Sequence, residues 1–129
     1  MLNNKGQSLV LFVIVLPILI LLLILVIDIG KIIVLKQELN NISELVLDYG
    51  LDNFDSENIE NELVNLIKLN KNDVDNINVY IEDDKIYVKL SEKCDGIFSS
   101  FIDLSIFNVN SFYMGSIIDD EKRIERMGD

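Results

Sequence analysis

The sequence predicts an α+β protein. One long N-terminal helix, membrane-spanning in its first half and aqueous in its second, packs on a small antiparallel sheet of three strands. Three observations predict this. An unbroken apolar run fills Leu9–Ile27, an apolar 3-4 repeat continues beyond it, and two alternating segments face each other across an Asp-Asp pair.

The apolar run carries no charge over 19 residues, close to the roughly 20 that a helix needs to cross a bilayer core. A cleavable secretory signal has a shorter apolar region, about 7–15 residues, and ends in small residues. Here Asp28-Ile29-Gly30-Lys31 follows, with no A-x-A-like site, so the segment 7–30 reads as a retained anchor. Between Leu9 and Ile29 there is no Gly, Ser, Thr or Ala. Close small-residue helix pairing is therefore unavailable, and association within lipid must interdigitate Leu, Ile and Val. Pro17 removes one backbone donor, which predicts a local kink or an unwound turn. Asp28 marks the lipid boundary, because a carboxylate at the bilayer centre is costly. Lys5 and the α-amine on one side stand against Lys31 and Lys36 on the other, so charge leaves the topology open.

Past Gly30 the apolar positions are Ile32, Leu35, Leu39, Ile42, Val46 and Tyr49, the a/d spacing of a helix with one buried stripe. Gly50 then reads as a C′ stop. A helix from Gln7 to Tyr49 would be roughly 65 Å long. Two readings of the stripe stand: packing on the protein's own domain, or an assembly helix shared between subunits.

Residues 31–118 form the expected domain. Asp55 or Ser56 caps a second helix, with Ile59, Leu63, Leu66 and Ile67 on one face and Lys68 and Lys71 near its C-terminus. Asn70–Asn76 reads as loop. Ile77, Val79 and Ile81 then alternate with polar residues or Tyr, as do Ile86, Val88 and Leu90. A two-residue turn at Asp83-Asp84 pairs Ile81 with Ile86, Tyr80 with Tyr87, Val79 with Val88, Ile77 with Leu90, and Glu82 with Lys85. Asp-Asp suits a tight turn less well than Asp-Gly, so a longer loop stays open. Ile97, Phe98, Phe101 and Ile102 suggest a short helical turn, and residues 106–114 a third strand. The charged tail 119–129 reads as frayed.

Charge and composition exclude several functions. All but Asp28 of the 22 Asp/Glu and all but Lys5 of the 11 Lys/Arg lie beyond Gly30, and the net charge is −11. That disfavours nucleic acid and anionic lipid as partners. With no His and one Cys, triads, HExxH zinc sites and Cys-His pairs are ruled out, and no intrachain disulfide can form. Asp73-Val74-Asp75 begins like a calcium loop, but Ile77 and Asn78 replace the acid and Gly it needs. The pairs Asp83-Asp84 and Asp119-Asp120 read as solvated turns. Cys94 reads as partly exposed, either an inert thiol or, in an oxidising compartment, one half of an intermolecular bond. No catalytic residue, cofactor, metal or small-molecule substrate is expected.

The N-terminal pattern has a known likeness. Lys5-Gly6, then Gln7-Ser8-Leu9-Val10-Leu11-Phe12, then Val15-Leu16-Pro17-Ile18, then Ile27-Asp28-Ile29-Gly30 resembles the TadE/TadG-like family, minor pseudopilins of the tight-adherence (Flp) type IV pilus system. The resemblance covers residues 5–30. It implies a pilin-like architecture and a leader, residues 1–6, that a prepilin peptidase removes by cutting between Gly6 and Gln7. One position departs. The family carries Glu where this chain has Leu11, before Phe12. That carboxylate is thought to neutralise a neighbour's new α-amine, and Leu11 cannot. Two readings follow: weakened cleavage or assembly, or an end position in which no such pairing is needed.

The resemblance implies a single-pass protein of the bacterial cytoplasmic membrane, N-terminus inside and domain outside. Its partners would be the membrane, the prepilin peptidase, other pilins or pseudopilins, and the assembly platform. Leu9, Leu11, Phe12, Pro17 and the Ile32–Tyr49 stripe would form the helix interface. Two other readings remain: a bitopic protein unrelated to pili that binds an envelope partner, and a secreted domain with an unusual signal.

Overall fold

The computed structural model describes residues 4–98 and 107–128. Helix α1 runs from Asn4 to Asp52, 49 residues, about 73 Å at 1.5 Å per residue. It passes through Pro17 without a break, so the unwound turn expected there does not form. The ring costs one backbone hydrogen bond, which leaves the Val13 carbonyl without its usual donor.

The stop expected at Gly50 is also absent. Gly50 is buried inside α1, and no glycine has a positive φ. Its role is close approach: a β-carbon there would stand 3.0 Å from both Ile86 Cδ1 and Leu63 Cδ1. The helix ends at Asp52 instead, and the backbone N–H and side-chain amide of Asn53, just beyond it, both donate to the Tyr49 carbonyl.

Helix α2, Ile59–Asn70, follows a short turn. It begins after Asn58 with no side-chain cap, so neither Asp55 nor Ser56 caps it. Ser56 Oγ bonds Glu62 Oε1 at 3.0 Å instead, while the Glu62 N–H reaches the Asn58 carbonyl. Ile59, Leu63 and Ile67 are buried, and the partly buried Leu66 packs beside them.

The sheet has four strands where three were expected: β1 (Asn76–Glu82), β2 (Lys85–Cys94), β3 (Phe107–Ile118) and β4 (Glu121–Arg126). They form an antiparallel meander in the order β1-β2-β3-β4. The β1–β2 register is the one the sequence implies, including Ile81↔Ile86, Tyr80↔Tyr87, Val79↔Val88, Ile77↔Leu90 and Glu82↔Lys85. Asp83 and Asp84 have φ of 53° and 60°, and Asp119 and Asp120 have 53° and 63°. Both pairs therefore make two-residue turns with left-handed residues, which follow the strand twist and which Asp tolerates.

Strand β4 replaces the frayed tail. Only Ile124 among its six residues is apolar, so alternation could not reveal it. It is held by position rather than by composition. Ile124 packs against the core, and Lys122 Nζ lies 2.7 Å from Asp48 Oδ1 and 2.9 Å from Asp52 Oδ1 of α1. The charged side chains also blunt this edge against pairing with another sheet.

Alternate residues of β2 and β3 turn to α1. The core joins Leu39, Val46, Leu47 and Leu51 of α1 to Ile86, Val88, Leu90, Val109 and Tyr113. On the outer face Tyr80 stacks on Tyr87 at 4.8 Å, and Phe112 meets Tyr87 edge-on at 6.2 Å. Ile97 and Phe98 begin a helical turn, while Phe101 and Ile102 of that expectation lie outside the described residues.

Candidate functional site: the rod and its seat

The apolar run in the first half of α1 stands at the surface and contributes nothing to the buried core among the described residues. Leu9, Leu11 and Phe12 are 64%, 62% and 59% exposed, and large apolar side chains continue exposed to Ile27. This helix is long and apolar enough to cross a membrane, and none of its most apolar stretch is covered by the domain.

The second half of α1 is the spine of the domain. Leu35, Leu39 and Val46 are buried against the sheet and α2, and Ile32 and Ile42 pack at the margin of that core. Tyr49 is exposed. Most of the stripe is thus covered within the chain itself. Leu9, Leu11, Phe12, Pro17 and Tyr49 stay at the surface, where Ile33, Val34 and Leu45 join them. Gly6 and Gln7 both lie exposed within the opening turns of α1.

Polar contacts fix the spine to the sheet. Ser43 Oγ of α1 and Ser111 Oγ of β3 are 3.1 Å apart and fully buried. Lys36 Nζ donates to the Asn110 carbonyl. Lys71, just past α2, stands 3.3 Å from Glu38 Oε2 and 3.4 Å from Glu92 Oε1. Burial pushes the Glu92 carboxyl up from its ordinary value; Lys71 opposes this, and Asp73 and Asp75 add to it. For Lys71, burial favours the neutral form, but Glu38 and Glu92 together outweigh it and raise its pKa.

Asp28, at the end of the apolar run, is 3% exposed. Its Oδ1 accepts the Ile97 N–H at 2.7 Å and its Oδ2 the Phe98 N–H at 2.8 Å. Gly96 lies directly on the carboxylate, and a β-carbon there would come 2.6 Å from Oδ2. Sequence reasoning placed Asp28 at the lipid edge but missed its partners. The only signal was a glycine followed by two apolar residues, a pattern too common to single out.

Cys94 is buried at the end of β2, contrary to the expected exposure. Burial raises its thiol pKa, with Lys31 opposing and Asp95, Asp28 and Glu92 reinforcing the rise. Among the described residues no cluster of His, Cys, Asp or Glu is placed to hold a metal ion. Asp75, from the calcium-like stretch, accepts the Lys93 N–H at 2.6 Å.

Fold and site define a class: an α+β domain built on the C-terminal half of a helix whose N-terminal half is a candidate membrane span. A family model described as TadE, TadE-like protein, matches residues 6–44. The matched segment holds the whole span and the start of the spine, and the sheet lies outside it. No curated protein and no solved structure matches the chain.

Proposed function

We propose that the protein is a minor pseudopilin-like subunit of a Flp-type pilus or related secretion apparatus, working by helix packing rather than by bond-making. One observation carries the reading. A single helix is a bare apolar rod over its first half and the rigid spine of a folded domain over its second. Such a rod reports the position of its domain directly to whatever packs on the rod. The TadE-like match over the same helix supports it.

In this reading a prepilin peptidase cuts between Gly6 and Gln7. The site lies in the first turns of α1, whose leading N–H groups have no helical acceptor, so unwinding costs little there. Leu9, Leu11, Phe12 and Pro17 then interdigitate with apolar side chains of neighbouring subunits in the membrane. Outside it, Ile33, Val34, Leu45 and Tyr49 continue the contact. Leu11 supplies no carboxylate for a neighbour's α-amine, which fits an end position in the assembly. The domain lies outside the cytoplasmic membrane and uses no cofactor or metal.

N-terminal sequencing of the protein from its native cells tests this. Gln7 as first residue supports the pseudopilin; an intact Met1 favours a plain single-pass anchor, and a start near residue 30 a secreted domain. Phe12→Cys in a Cys94→Ser background adds a second test. Cross-linking to a pilin or pseudopilin supports the reading, and a solitary chain overturns it.

A further inference from the structure

We infer that the turn Gly96–Phe98 is a lipid seat, on which the domain rests against the bilayer surface through Ile97 and Phe98. The inference rests on α1 crossing the membrane as proposed above. The apolar run Leu9–Ile27 would then span about 29 Å, nearly the thickness of the hydrocarbon core, which puts Asp28 at its edge.

Asp28 is not left to the headgroups. Its two oxygens accept the backbone N–H groups of Ile97 and Phe98 at 2.7 and 2.8 Å, and Gly96 closes over it. Bonds of this kind to a buried carboxylate are short and strong. They fix the backbone of 96–98, about 70 residues away in sequence, at the level where lipid ends. The side chains carried to that level are an isoleucine and a phenylalanine, both half-buried. Apolar and aromatic residues are what an interface between acyl chains and water accommodates.

The charge beside the seat is mixed. Lys31 and Lys93 line an open groove beside this turn, together with Glu38, Glu92 and Asp95. The Asp-rich end is elsewhere: Asp52, Asp55 and Asp84 line one hollow at the far end of α1. From Asp28 to Asp52 is about 36 Å along the helix. That is several times the screening length of roughly 8 Å in physiological salt. Asp52, Asp55 and Asp84 are thus carried clear of the surface, so their share of the net −11 does not oppose the seat.

The chain contains no Trp, so each introduced Trp is a unique probe. Full-length Phe98→Trp, Leu19→Trp and Phe54→Trp would be placed separately in phosphatidylcholine vesicles. Quenching is read with lipids brominated near the glycerol end or near the terminal methyls of their chains. The expected result is several-fold stronger quenching at 98 than at 54 by the shallow bromines, with 19 quenched most by the deep ones. Deep quenching at 19 with no difference between 98 and 54 overturns the seat and leaves the span standing. Absence of deep quenching at 19 overturns the span and the seat with it. Ile97→Trp replaces the probe if Phe98→Trp misfolds. Adding Gly96→Val, which drives a side chain onto Asp28, should lower quenching at position 98. Unchanged quenching would overturn the anchoring role of Asp28.

Discussion

Ser43 of α1 and Ser111 of β3 place their hydroxyl oxygens 3.1 Å apart, both wholly shielded from water. Each hydroxyl is the other's partner across the helix–sheet interface. Replacing one leaves the other buried and unpaired, which costs about 1–3 kcal/mol, whereas removing both removes the mismatch. Ser43→Ala and Ser111→Ala should each lower the urea midpoint of the full chain in detergent. The double variant should lose less than the sum of the two. Strict additivity would show that the pair carries no coupling.

Glu92 gives the fold a pH dependence whose sign follows from its surroundings. Burial raises its pKa, Lys71 only partly offsets this, and Asp73 and Asp75 reinforce it. The folded carboxyl therefore holds its proton more tightly than the unfolded one. Its contribution to stability is fully present below the ordinary glutamate value and is lost as pH rises through the raised one. Glu92→Gln cannot titrate. Urea midpoints of the variant should vary less with pH across that window than those of the unmodified chain. An identical slope in both would remove Glu92 as the source.

Cys94 should behave as a buried thiol. It is 8% exposed, and burial holds its pKa up, so little thiolate forms at neutral pH. A thiol-reactive dye should label the folded chain slowly and label it fully in urea. Fast labelling of the folded chain would contradict this. A disulfide between subunits through Cys94 would first need the end of β2 to open.

The hairpin was legible because both strands alternate and every facing pair agrees, so only one register buries Ile86, Val88 and Leu90 together. Strand β4 was not, because Glu121–Arg126 offers one apolar residue and its reason for pairing lies in Asp48 and Asp52, far away in sequence. The sign that could have exposed it was Asp119-Asp120, a second Asp-Asp after an apolar strand, which repeats the turn geometry of Asp83-Asp84. Gly50 misled for a related reason. A glycine at the end of an apolar repeat reads as a stop, but here the missing side chain makes room for Leu63 and Ile86. The exposed apolar half of α1, a candidate membrane span, was readable from composition alone. The Asp28–Phe98 contact was not, since nothing local to either residue points to the other.

Gly6 and Gly30 offer a test of leader removal that is free of folding effects. Both lie within α1, and a β-carbon at either position meets nothing within 4 Å. Alanine at either site should be tolerated and should favour the helix by up to about 1 kcal/mol. Any difference between the two variants then belongs to the peptidase. A protease that binds its substrate in extended form needs the backbone to come close at the residue before the cut, where glycine has no side chain to obstruct it. With a prepilin peptidase coexpressed, Gly6→Ala should retain residues 1–6 by intact-mass measurement. Gly30→Ala should be trimmed to Gln7 like the unmodified chain. If both variants are trimmed alike, Gly6 is not the recognition residue; if neither the variants nor the unmodified chain is trimmed, residues 1–6 are not a leader for that enzyme.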